Sequence, residues 1–264
     1  MRQVTSAGIE RSYRLHLPPN LSMAKPAAVV LNFHGLGSNA IEQEAYSGFA
    51  PVSDREGFIL VSPDGTGSPR GWASSPNLPT GVDDVRFTRD LLDRIQTDFC
   101  IDTARIFSTG MSNGAFMSSR LACVLSDRIA AVAPVAGVSF TPVERCGAPV
   151  PILAFHGTAD RTVPFEEGLI FGVLPYAGAR KYTADWASHN GCSPTPQLSK
   201  VSEAVTRESY PKCGGADVML VIVKGGGHTW PGASIEIGRL GETTKDVSAT
   251  EEIWKFFAAH SLTR

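Results

Sequence analysis

The chain has 264 residues, 42% of them hydrophobic, with 24 Lys and Arg against 26 Asp and Glu for a formal net charge of -2. That length and apolar content suit a single α/β domain, spanning 1–264, with one sizeable core. The basic residues are scattered and no apolar run approaches the roughly 20 residues of a membrane span, which argues against nucleic-acid and membrane partners.

In chain order, strand-like runs fall at Tyr13 to Leu17, Ala27 to Phe33 and Phe58 to Ser62. Gly65 to Gly81, rich in Gly, Pro, Ser and Asn, reads as a long loop of the kind that shapes sites. A helix is predicted over Asp83 to Phe99, capped by Asp83 and Asp84 and striped by Val85, Leu91, Leu92, Ile95 and Phe99. A strand at Arg105 to Ser108 precedes a helix from Asn113 to about Leu125. Strands follow at Ala130 to Val135 and Pro151 to Phe155, then a helix over Ala177 to Asn190. Leu198 to Tyr210 pairs as a hairpin with a last strand, Val218 to Val223, and Thr250 to His260 closes the chain as a helix. Alternation of strands and helices, with several continuous apolar strands, predicts an α/β fold. It has a mostly parallel central sheet and helices on both faces.

Gly110-Met111-Ser112-Asn113-Gly114 matches G-x-S-x-G between a short strand and a helix-like run. That context makes it a nucleophile elbow, with the Ser112 hydroxyl at the carboxyl edge of the sheet and a helix N-terminus behind it. A serine hydroxyl needs a base, and the base an orienting carboxylate, in the chain order Ser, acid, His. His228, in the Gly-rich run after the last strand, is the candidate base, carried on a loop flexible enough to swing over the sheet edge. His156, at a strand end, reads as a hydrogen-bonded rim residue; His189 lies in an insertion and His260 at the surface. Asp160 follows the strand Pro151 to Phe155 and is the candidate acid. Its alternatives are an Asx-turn before Val163-Pro164 and a rival acid, Asp246. The oxyanion donors are assigned to the N–H groups of Asn113 and Leu36, the second in His34-Gly35-Leu36-Gly37 after an earlier strand.

Cys192 and Cys213 sit in polar, Gly-rich loops and read as a disulfide, hence as a secreted or periplasmic protein. Free thiols in a cytoplasmic enzyme are the alternative. The N-terminal run MRQVTSAGIERSYRLHLPP has no apolar core, so export implies a leader already removed.

HGLGSN, SPDG, GW, VDDV, TGMSNGAFMSSRLAC, APVAG, FHGTAD, NGC and GGGHTWPG occur in that order, followed by IWKFFAAH. Together they resemble the bacterial polyhydroxybutyrate depolymerase and feruloyl esterase family, relatives of carbohydrate esterase family 1. The resemblance implies an α/β-hydrolase fold and the triad Ser112, Asp160 and His228. It implies a substrate site shaped by Trp72 and Trp230, although Trp230 also reads as a core residue under its loop. It further implies Cys123–Cys146 and Cys192–Cys213 pairing, with Cys100 free. One departure is Ala115, where relatives commonly carry a second glycine; it sits inside the helix and is expected to cost no activity.

The expected chemistry is two-step acyl transfer to Ser112, with no metal and no organic cofactor. The expected substrate is a small-molecule, oligosaccharide or polyester ester, and the expected state a monomer or weak dimer. The run holds neither a Thr/Ser-rich linker nor a further substrate-binding domain, which favours feruloylated plant-wall oligosaccharides. The alternatives are a polyhydroxyalkanoate or polyester depolymerase, an acetylxylan esterase, a peptidase, and a non-catalytic binding protein on the same scaffold.

Overall fold

The structure is a computed structural model that describes residues 1–75, 81–139, 143 and 146–262. Its strands are β1 (Arg2–Ser6), β2 (Ile9–His16), β3 (Ala27–Phe33), β4 (Ile59–Pro63), β5 (Ile101–Met111), β6 (Ala131–Val135), β7 (Ile152–Gly157), β8 (Gly168–Ile170), β9 (Leu174–Tyr176), β10 (Gln197–Lys200), β11 (Val205–Tyr210) and β12 (Val218–Val223). The helices are α1 (Ala40–Ser47), α2 (Phe49–Glu56), α3 (Asp84–Asp98), α4 (Asn113–Val124), α5 (Ala179–His189) and α6 (Ala249–Ala258).

Ten strands form one sheet in the order β1-β2-β4-β3-β5-β6-β7-β12-β11-β10. The six central strands run parallel and both edges are antiparallel. This is the α/β-hydrolase arrangement. Period-two alternation divides β3 between two cores: Val29, Leu31 and Phe33 face α3, α4 and α5, while Ala28 and Val30 face α2 and α6. Leu91, Leu92, Leu121 and Trp186 fill the first layer, and Phe49, Ile253 and Phe257 the second. Each such fully buried side chain contributes about 1.5–3 kcal/mol of transfer free energy.

The helices begin where their caps dictate. Asn39 accepts from the Ile41 and Glu42 N–H groups, and Asp83 from Arg86. The helix expected from Ala177 starts two residues later, because Gly178 is held at φ 95°. The run Leu198 to Tyr210 is two strands, β10 and β11, turned back between Lys200 and Val205, with β11 pairing antiparallel to β12 as expected. Of the expected loop Gly65 to Gly81, residues 76–80 lie outside the described residues. Cys123–Cys146 and Cys192–Cys213 are disulfides and Cys100 is free.

Candidate active site

β5 runs straight into α4, and Ser112 takes the turn between them at φ 57°, ψ -119°. A non-glycine residue there costs on the order of 1–3 kcal/mol, a strain that persists only where the surroundings impose it. Here they do. A Cβ on Gly110 would stand 2.5 Å from the Phe33 carbonyl oxygen, and one on Gly114 only 2.2 Å from it. Both flanking positions must therefore lack a side chain for the elbow to press against the end of β3. The Ser112 N–H donates to the Val135 carbonyl at 2.9 Å, which ties the turn to β6 as well.

Asp160 and His228 arrive from β7 and β12, which pair in parallel. Their following loops touch backbone to backbone. A Cβ on Gly157 would lie 2.2 Å from the Gly226 carbonyl oxygen, and the Ala159 N–H donates to that same oxygen at 2.9 Å. The Asp160 carboxylate is wholly buried and its two oxygens divide the work. Oδ1 accepts from the N–H groups of Thr162 at 2.8 Å and Val163 at 2.9 Å; Oδ2 accepts from His228 Nδ1 at 2.7 Å. Both sequence readings of Asp160, turn residue and orienting acid, thus describe the one side chain. Since the carboxylate only accepts, His228 carries its proton on Nδ1 and leaves Nε2 as a base.

The His228 loop is pinned, which corrects the expectation of a swinging one. The His228 N–H donates to Leu240 at 2.7 Å and the Gly227 N–H to Glu242 at 2.9 Å. The Trp230 N–H donates to the Tyr46 hydroxyl at 3.2 Å and its indole N–H to Thr250 at 2.9 Å. His156, expected at the rim, is buried. Its Nε2–H donates to the Val163 carbonyl at 3.0 Å and lies 3.5 Å from Asp160 Oδ2, while burial holds its pKa below the ordinary histidine value. Asp246 is exposed and accepts from Ser202 at 2.6 Å, and it makes no bond to His228. His260 bonds the Phe256 carbonyl and is half-buried; His189 packs edge-on against Trp186.

Leu36 and Asn113 flank the elbow. Neither N–H has a protein acceptor among the described residues, as a pair of oxyanion donors requires. Their supports are specific. His34 is buried, with Nδ1–H donating to the Gly35 carbonyl at 2.7 Å and Nε2 accepting from the Gly65 N–H at 2.9 Å. Burial keeps its pKa low, consistent with that neutral tautomer. The Asn113 side chain accepts from the Trp72 N–H at 2.7 Å and donates to Ser74 at 3.0 Å. The Trp72 indole N–H donates to the His34 carbonyl at 2.9 Å, and its ring sits edge-on to Phe33, 4.9 Å away, and stacks on Phe87.

Ser112 and His228 open onto one cavity of about 510 Å³. Its walls come from Leu36, Tyr46, Met111, Ile235, Ile237 and Leu240, among others. Trp72 and Trp230 are only 3% and 0% exposed, and neither lines it. Each indole has its N–H bonded and its ring packed, so each supports a site loop from within. The loop that follows Trp230 supplies Ile235, Ile237, Arg239 and Leu240 to the wall, while the β8–β9 hairpin does not line the cavity. The wall from α1 has no counterpart in the sequence reading.

A buried ion pair braces this region. Arg11 on β2 meets Asp84 at 2.8 Å, with its guanidinium 3.9 Å from the centre of the Phe87 ring. The other Asp84 oxygen accepts from the Ala73 N–H at 2.7 Å, and Arg120 bonds the Ala73 carbonyl. Asp84→Ala removes the carboxylate that neutralises this buried guanidinium and leaves it only the Asp64 carbonyl at 3.2 Å, and is expected to cost about 3–5 kcal/mol in urea unfolding. Replacing both residues by apolar ones is expected to cost less than the single change.

No family model matches the chain. Over 88% of its length it is 32% identical to "Putative esterase NocK" of Nocardia uniformis subsp. tsuyamanensis, covering 74% of that protein. Feruloyl esterase B of Piromyces equi is 33% identical over 83% of the chain, and feruloyl esterase D of Neurospora crassa 29% identical over 95%. The chain belongs to the esterase family that NocK represents. It spans 42% of the length of the Piromyces equi enzyme and 82% of the Neurospora crassa one. Among solved structures, the acetyl xylan esterase from Aspergillus awamori superposes with a TM-score of 0.70, covering 98% of each chain at 17% identity. That likeness shows that the two share a fold. The candidate nucleophile, acid and base follow the carboxyl ends of β5, β7 and β12, on one edge of the sheet.

Proposed function

We propose that the chain is a serine carboxylic ester hydrolase of feruloyl esterase type, acting on hydroxycinnamoyl esters of plant-wall saccharides. The observation that carries this reading is geometric. A serine held on a strained turn and a histidine fixed in its Nδ1–H tautomer by a buried carboxylate open onto one cavity.

His228 Nε2 removes the Ser112 proton as Oγ attacks the ester carbonyl. The N–H groups of Leu36 and Asn113 hold the oxyanion of the tetrahedral intermediate. His228 then protonates the leaving alcohol, an acyl-enzyme remains, and water attacks it by the same route. Asp160 keeps the tautomer and stabilises the imidazolium. These groups suffice for the chemistry without a metal or organic cofactor. Apolar side chains at Met111, Ile235 and Ile237 suit an aromatic acyl group. We place the enzyme outside the cytoplasm, a reading supported by its two disulfides. We read 1–264 as one catalytic domain.

The test is a substrate panel of methyl ferulate, acetylated xylan, short p-nitrophenyl esters and soluble hydroxybutyrate oligomers. Methyl ferulate is expected to give the highest kcat/KM. A preference for hydroxybutyrate oligomers would move the substrate to polyesters and leave the mechanism standing. Inertness towards every ester would overturn the hydrolase reading.

A further inference from the structure

Among the described residues, the arginines have acceptors with two exceptions. Most meet a carboxylate within 4 Å, and Arg120 bonds the Ala73 carbonyl. The exceptions are Arg161 and Arg239. Both are exposed, and both open onto one polar groove of about 470 Å³. The groove adjoins the cavity of Ser112 and His228 and shares Arg239 and Leu240 with it. Two catalytic loops thus deliver the pair: Arg161 directly follows Asp160, and Arg239 precedes Leu240, whose carbonyl holds the His228 N–H.

The groove also carries Glu236 and Glu242. Glu236 is engaged by Lys245 at 3.4 Å, and neither carboxylate comes within 4 Å of either arginine. Both guanidinium groups therefore present donors to this groove that no protein carboxylate among the described residues engages. Their planar donor forks match a carboxylate. The groove is more polar than the Ser112 cavity and its walls include Thr162 and Thr243. It suits the hydroxyl-bearing side of an ester better than the acyl side.

Resting on the esterase reading above, we propose that this groove is a subsite for a carboxylate carried on the alcohol part of the ester. The substrate class is an ester of a saccharide that contains a uronate.

The experiment uses two esters with one acyl group, one on a neutral methyl glycoside and one on the corresponding methyl uronoside. The readout is the ratio of their kcat/KM values, charged over neutral, so each variant carries its own reference. The wild type is expected to favour the uronoside by about tenfold, mainly through KM. The preference should shrink as salt screens the pair, and should vanish in the double variant Arg161→Gln, Arg239→Gln. Equal rates in the wild type, or a preference that survives the double substitution, would overturn the subsite. Failure of the wild type to hydrolyse even the neutral ester would overturn the esterase reading and the subsite with it.

Discussion

Ser112→Ala is expected to lower kcat for p-nitrophenyl acetate by a factor on the order of 10⁴–10⁶, with urea stability changed by less than about 1 kcal/mol. The two halves of this result have separate causes. Turnover depends on an oxygen that attacks and holds the acyl group, and alanine has none. Stability depends on the backbone of the elbow, on Gly110 and Gly114 against β3, and on the Ser112 N–H bond to Val135, all of which remain. The serine hydroxyl supplies no helix cap, since the α4 N-terminus has no side-chain hydrogen bond from Ser112. Near wild-type turnover in this variant, measured on purified protein free of other esterases, would remove Ser112 from the reaction.

Asp160→Asn is expected to lower kcat by on the order of 10⁴. The geometry predicts the reason. Oδ1 accepts two backbone N–H bonds, from Thr162 and Val163. An asparagine must keep its carbonyl oxygen there, which turns its amide N–H groups towards His228 Nδ1. That nitrogen then becomes an acceptor, the imidazole proton moves to Nε2, and the base facing Ser112 is lost. The amide would also meet the His156 Nε2–H, which the carboxylate tolerates at 3.5 Å. Asp246→Asn serves as the comparison and is expected to leave kcat unchanged. A mild effect at Asp160 with a large one at Asp246 would reverse the assignment.

Much of this was legible in the residues before any coordinates. The elbow was, because its glycines are demanded by backbone contacts that no other residue type permits. So were the strands that precede the candidate acid and base, because β7 and β12 are continuous apolar runs whose ends are easily found. Strand β3 and strand β12 match their predicted ends for the same reason. Other parts carried no local signal. α1 and α2 are eight residues each, divided by Gly48 at φ 67°, and too short to display a helical stripe. β1 exposes most of its polar side chains, so no alternation marks it. Ile235, Ile237 and Leu240 line the cavity only because the chain folds back to bond Gly227 and His228, a long-range pairing without a sequence pattern. Trp230 lies two residues from His228 in sequence, and Trp72 is implied by the family resemblance, but neither signal gives a side chain's direction. The two side chains point into two different cores.

The central claim is that Ser112 is acylated. The most direct measurement treats native protein with a fluorophosphonate and maps the adduct by peptide mass spectrometry. The account predicts one stoichiometric adduct, on Ser112, that is absent from Ser112→Ala and strongly slowed in Asp160→Asn. An adduct on another serine, or folded protein that remains unlabelled, would contradict it.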